Sequence, residues 1–260
     1  MNPKSIDNKT LFGETKKNLL EEITREDVIK GLAMPEKDII IDDNIKLEII
    51  NCSENSDLPV AFNNKMLTVD LPLLYVKNNS NQKVADVFLC FGEKLNGERI
   101  LFIANRLLKK QNEGLGLDLE CKIESFCKEH KINSIYNKAS SRDKKVGAYV
   151  WARYGYEFAD ESQIENLRMK FYYFAIKQGI VITTFLENLK RPIDFALAQG
   201  VPQNGGEKVN IGKMFLLNSN IEWHGKRDLT PGSQGTKDFI AYLKERGRED
   251  LIEKYYADEK

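Results

Sequence analysis

The order of apolar and polar positions divides the chain into helical and strand-like stretches. In "TKKNLLEEITREDVIKGL", Leu19, Leu20, Ile23, Val28 and Ile29 recur at helical spacing, and Gly31 and Pro35 close the pattern. Residues 1–35 therefore read as mainly helical. "DIIIDDNIKLEIINCS" follows as two short β-rich runs around an Asp-Asp-Asn turn. Pro59 and Pro72 interrupt regular structure over residues 53–75. Two β-prone runs then flank "EKLNGE", whose Asn-Gly pair is a strong hairpin signal, so Val84–Phe91 and Arg99–Ala104 are predicted to pair antiparallel. A helix is predicted from about Leu115 to Glu129, with Leu115, Leu119, Ile123 and Phe126 as its apolar stripe.

Beyond that helix, "INSIYNKAS" reads as a short strand, and "SRDKKVGAYVWARYGYEF" as a helix closed by Gly155 in the C′ position. Residues 160–200 read as helical in "ESQIENLRMKFYYFAIKQG" and "TTFLENLKRPIDFALAQG". "VPQNGGEK" is a loop, and "KMFLLNSNIEWHG" reads as a strand. "TPGSQGTKDFIAYLKERGREDLIEKYY" opens on a Pro-Gly turn and ends in a helix with Phe239, Ile240 and Leu243 on one side.

Composition narrows the function. The 260 residues carry 39 basic and 39 acidic side chains, so the net charge is zero. That balance argues against a nucleic-acid binder, because phosphate binding favours a basic excess. Hydrophobic residues make up 42% and charged residues 30%, which is a globular composition with a sizeable core. No apolar run reaches the length of a membrane span, and "MNPKSIDNKTLFGETKK" does not read as a secretory signal. Cys52, Cys90, Cys121 and Cys127 show no C-x-x-C spacing, and there are two histidines. Neither a zinc site nor a disulfide framework is expected, and the cytoplasm is the default compartment.

The candidate chemistry lies in "LLKKQNEGLGLDLECKIESF", where Gly114 and Gly116 stand at the start of the predicted helix. Glycine is costly in a helix unless something approaches the backbone. A helix N-terminus presents N–H groups without internal partners and a dipole that favours an anion. Gln111–Gly116 therefore reads as a phosphate cradle between a strand and a helix. It is not a P-loop, since Leu117-Asp118 stands where Lys-Ser/Thr is required, and it lacks the third glycine of a dinucleotide fingerprint. The plainer reading is a strand–helix connection with ordinary glycines.

On "QNEGLG", "INSIYNKAS" and "GAYVWARYGYEF", in that order, residues 84–158 resemble the GNAT superfamily of N-acetyltransferases, whose central motif is Gln/Arg-x-x-Gly-x-Gly/Ala. The resemblance implies a mixed α/β (α+β) domain with a mostly antiparallel sheet flanked by helices. Its layout would be an N-terminal helical segment (1–35), an acyl-coenzyme A-binding core (36–158) and a mainly helical C-terminal extension (159–260). It implies acetyl-coenzyme A, or another acyl-coenzyme A, as cosubstrate, and an amine, peptide or protein acceptor. The pyrophosphate would lie against Asn112, Glu113, Gly114, Leu115 and Gly116, with Gln111 opening the motif. The pantetheine arm would run along Leu107 to Lys109, and Lys109 and Lys110 would add positive charge. The amine would attack the thioester directly, with a base to take its proton and an acid to protonate the thiolate.

The match departs at the acid. The family's tyrosine position falls on Trp151, and its asparagine position falls on Lys144. Tyr149 and Tyr154 are the available substitutes. Asp86, Glu93 and Glu98 around the hairpin are candidate bases, each with the plainer reading of a solvated carboxylate. The alternative function is an interaction module on the same fold with a degraded active site. A third reading is an unrelated α/β protein in which "QNEGLG" is only a connection. "KFYYFAIKQGIVITTF" reads as core, with a partner interface as its other reading, and Trp151 and Arg153 read as packing or as pocket lining.

Overall fold

The computed structural model describes residues 37–42, 67–69, 73–78, 83–93, 98–108 and 114–259, together with Asp27 and Lys30, both helical. The chain divides into two compact units, with the break between Asn133 and Ser134. The strand pairings within each unit are antiparallel, and seven α-helices accompany them among the described residues. The chain is thus mixed α/β with predominantly antiparallel sheet.

In the first unit, β1 (Lys37–Asp42) pairs with β3 (Leu73–Asn78), β3 with β4 (Lys83–Glu93), and β4 with β5 (Arg99–Leu108), while β2 (Leu67–Val69) also pairs with β4. The predicted hairpin is present and longer than expected, running from Glu93↔Arg99 to Ala85↔Leu108. A register shift near Phe88/Leu89 puts a bulge in it, which adds local twist. Ile100, Leu101, Phe102 and Ile103 are all buried, so both faces of β5 are covered there. The second β-rich run of 43–50 and the turn residues 94–97 lie outside the described residues, as does the rest of the N-terminal helical prediction.

Helix α1 (Leu115–Glu129) has the predicted bounds. It buries nine of its fifteen residues, among them Glu120 and Glu124. Its C-cap is His130, whose ring lies 4.3 Å from that of Phe126. Cys121 and Cys127 are buried free thiols.

In the second unit, β6 (Ser134–Ser140) pairs with β10 (Glu222–Asp228), which also pairs with β7 (Glu157–Phe158). The predicted helix after β6 is shortened. Residues Arg142–Lys144 form a 3₁₀ turn in which Asp143 has φ 54°, and helix α2 (Gly147–Arg153) starts after it. Gly155 ends α2 as expected: with φ 78°, its N–H meets the Ala152 carbonyl and that of Tyr156 meets Trp151, a Schellman closure. A Cβ at Gly155 would stand 2.1 Å from the Gly235 carbonyl, so the position also needs glycine for backbone contact.

Helix α3 (Gln163–Lys177) matches the sequence pattern, but the chain after it does not. β8 (Ile180–Ile182) comes first, and the expected helix over 183–200 is replaced by a 3₁₀ turn at Leu186–Asn188, the six-residue α4 (Pro192–Leu197) with proline in its first turn, and the start of β9 (Gly200–Pro202). The β-branched triplet Ile180-Val181-Ile182 favours strand over helix. "KMFLLNSNIEWHG" is likewise two elements rather than one strand: α5 (Ile211–Asn218) and β10. The Asn210 side chain accepts a hydrogen bond from the Lys213 N–H at 2.7 Å, a helix start, and Asn220 with φ 50° separates the two. Helices α6 (Gln234–Glu245) and α7 (Glu249–Tyr255) close the chain. Phe171, Phe195, Phe215, Trp223 and Phe239 are buried at the centre of this unit, many of them in edge-to-face contact.

Candidate functional site

Glycine 114 is the N-cap of α1, with φ 76° and ψ −16°. This left-handed conformation is open to glycine and strained for most other residues. Its carbonyl accepts the N–H groups of Leu117 (2.9 Å) and Asp118 (3.2 Å), which starts the helix without a side-chain cap. Leu115 is buried under the first turn. Gly116 is half-exposed in that turn, so backbone rather than side chain faces an approaching group there. Asp118 is the acid of the first turn and meets part of the dipole's positive end.

A buried ion pair ties the strand before this helix to the helix itself. Arg106, two residues from the end of β5, donates to Glu120 at 2.7 Å, with side chains 4% and 0% exposed. Leu107 lies in β5 opposite Asp86. Lys109, Gln111, Asn112 and Glu113 lie outside the described residues, as does Lys110.

The candidate acids and bases are spread along the chain. Glu98 is half-buried just before β5, and ten residues of strand, about 30 Å at the usual rise, separate it from Leu108. Asp86 and Glu93 are strand positions opposite Leu107 and Arg99. Tyr149 is half-buried in the first turn of α2, with the Lys213 ammonium 5.6 Å from its ring centre. Tyr154 is 4% exposed, with its ring against Trp151, Phe239 and Tyr242. Burial pushes the Tyr242 phenol up, against the lowering effect of Arg246 and Arg153. Trp151 packs edge-on to Tyr156 at 5.0 Å, and Arg153 pairs with Glu245 beneath the Tyr242 ring.

Two further features were not legible as sites in the sequence. Asn137, at 0% exposure in β6, has neither its Oδ1 nor its Nδ2 hydrogen-bonded, and its Oδ1 would lie 2.5 Å from a Cβ on Gly225. Its signal was a single amide in an otherwise buried strand. The second is an open cleft of about 600 Å³ lined by Glu157, Glu161, Glu165, Arg168, Lys190 and Arg191. Its charges are largely matched internally: Arg191 pairs with Glu157 and Asp238, and Arg168 with Glu165. Burial alone would lower the Arg191 pKa, but Asp238 and then Glu157 raise it overall.

Among the described residues there is no cluster of His, Cys, Asp and Glu arranged for a metal ion, and no helix long and apolar enough to cross a membrane. No protein-family model matches the sequence, and no curated protein matches it.

Proposed function

We propose that the chain is an N-acyltransferase that moves an acetyl or other acyl group from coenzyme A to an amine. The observation that carries this reading is Gly114: a left-handed glycine N-cap at the head of a fifteen-residue helix that follows a long strand. The neighbouring order of elements agrees with the GNAT pattern. The hairpin of β4 and β5, then α1, β6, α2 and the Gly155 turn occur in that sequence. The cofactor pyrophosphate would lie against the first turn of α1, where Gly114 and Gly116 keep Cβ atoms out of the way. The pantetheine amides would pair with the backbone at the end of β5.

In the transfer, the amine nitrogen bonds to the thioester carbon and the carbon–sulfur bond breaks, releasing the thiolate. The amine proton leaves to a base, and the thiolate takes a proton from an acid. Of the two tyrosine candidates, Tyr154 is enclosed by three aromatic rings, whereas Tyr149 is half-buried at the start of α2. Glu98 stands just before β5 and Asp86 opposite Leu107 near its end, and the amine proton would leave to one of these carboxylates or to water. The burial of Tyr154 also favours a second reading, a non-catalytic module on the same elements.

Calorimetric titration with acetyl-coenzyme A tests the proposal, using Gly114→Asp and Gly116→Glu as variants. Glu is a good residue in a helix's first turn, so Gly116→Glu keeps the helix while placing a negative charge against the phosphates. Binding lost in both variants, with thiol release on adding amines, supports the acyltransferase. Binding without thiol release supports the module. Binding unchanged in Gly116→Glu removes the cradle from this loop.

A further inference from the structure

Helix α3 is apolar on two sides. One side, Leu167, Phe171 and Ala175, is buried, with Phe171 against Phe195 and Phe215. The other carries Met169, Tyr172, Tyr173 and Ile176, which are 44%, 42%, 62% and 51% exposed. Their spacing of i, i+3, i+4 and i+7 makes one continuous stripe. A surface helix ordinarily presents polar residues there.

From this stripe we infer that the chain forms a symmetric dimer in which two copies of α3 pair antiparallel. Charge points to a second copy as the occupant. The N-terminal end of the stripe is acidic, with Glu165 at 73% side-chain exposure and Glu161 exposed before it. The C-terminal end carries Lys177, exposed just past Ile176, whereas Lys170 stands beside Met169 and off the line of the stripe. Antiparallel pairing about the centre of the stripe sets Glu165 of each copy near Lys177 of the other, and it opposes the two helix dipoles. A two-fold interface must be self-complementary in this way.

Area sets the strength. With reference areas of about 200 Å² per large side chain, the exposed fractions amount to roughly 400 Å² of apolar surface per copy. Two copies cover about 800 Å² before the stems of the flanking charged residues are added, which reaches the lower end of specific interfaces at about 1,200 Å². An interface of that size is typical of a dissociable dimer rather than an obligate one.

Sedimentation velocity of the full chain from about 1 to about 200 μM reads this out. The expected result is a shift from 29.9 kDa toward twice that mass with rising concentration. Tyr173→Glu, at an exposed position, should remain monomeric with unchanged circular dichroism. Glu165→Lys alone and Lys177→Glu alone should each weaken association about tenfold, since each sets like charges together at both ends. An equimolar mixture of these two variants should regain wild-type association, because in the mixed pair each end sets a lysine of one copy against a glutamate of the other. A wild-type chain monomeric throughout, a dimer indifferent to Tyr173→Glu, or a mixture no stronger than its components would overturn the inference.

Discussion

Helices α1 and α3 are both fifteen residues long and both rich in apolar side chains, yet the protein uses them in opposite ways. α1 buries nine residues, including two glutamates, whereas α3 buries three and leaves four large apolar residues in solvent. Inside α1, burial extends to charge: Glu120 is held by Arg106, and Glu124 lies 3.2 Å from Lys128. The surroundings of α1 are completed by its own chain. Those of α3 are completed on one side only. Amphipathic pattern alone therefore does not say which face of a helix meets protein and which meets water.

The contrast can be broken most strongly on α1. Phe126→Ala should cost about 3–5 kcal/mol in denaturant unfolding, since the ring is 2% exposed and leaves a cavity. Tyr173→Ala on α3 should stay within about 0.5 kcal/mol at concentrations below dimerisation. Glu120→Ala comes next, at about 3 kcal/mol, because it leaves the buried Arg106 guanidinium without its carboxylate. Equal costs for Phe126→Ala and Tyr173→Ala would show that the α3 face is covered within the monomer.

Gly116→Ala should act in the other direction. Alanine is favoured over glycine inside a helix by up to about 1 kcal/mol, so the variant should be at least as stable as the native chain. If it loses acetyl-coenzyme A affinity while gaining stability, the glycine serves a ligand. A loss of stability instead would make it a packing glycine and the loop an ordinary connection.

The smallest effect belongs to the start of α3. Hydrogen bonds first from the Ser162 hydroxyl (2.7 Å) and then from its N–H (2.8 Å) hold the Asp160 carboxyl below its usual range. With a folded pKa below the unfolded value of about 3.9, its contribution is present above that pH and fades as pH falls through the folded pKa. Thermal melts of Asp160→Asn should therefore sit slightly below wild type near neutral pH and converge with it in acid.

Much of this arrangement is legible locally. The Asn-Gly pair and alternating apolar runs specify the β4–β5 hairpin, and a 3.6-residue period after Gly114 specifies α1 at its observed bounds. Gly155 announces the end of α2 because a Schellman closure requires a left-handed residue. Local pattern and fold part where two signals overlap within a few residues. Asn210, just ahead of the stretch that reads as strand, caps a helix that runs into it, and Ile180–Ile182 is strand beside a strong helical pattern. The glycine start of the candidate site was visible for the same local reason, whereas the roles of Tyr149, Tyr154 and Glu98 depend on what surrounds them.

By itself, the sequence determined the features that residues near one another in the chain can dictate: the hairpin, the α1 and α3 helices, and the glycine that α1 begins with. Tertiary structure alone decided which faces are covered. It pairs β6 with β10 across more than eighty residues of intervening chain, draws Glu120 and Tyr154 into the interior, and leaves Met169, Tyr172, Tyr173 and Ile176 outside. Backbone conformation answers to neighbours a few residues away, but burial answers to whichever distant segments arrive, and no local pattern encodes their arrival.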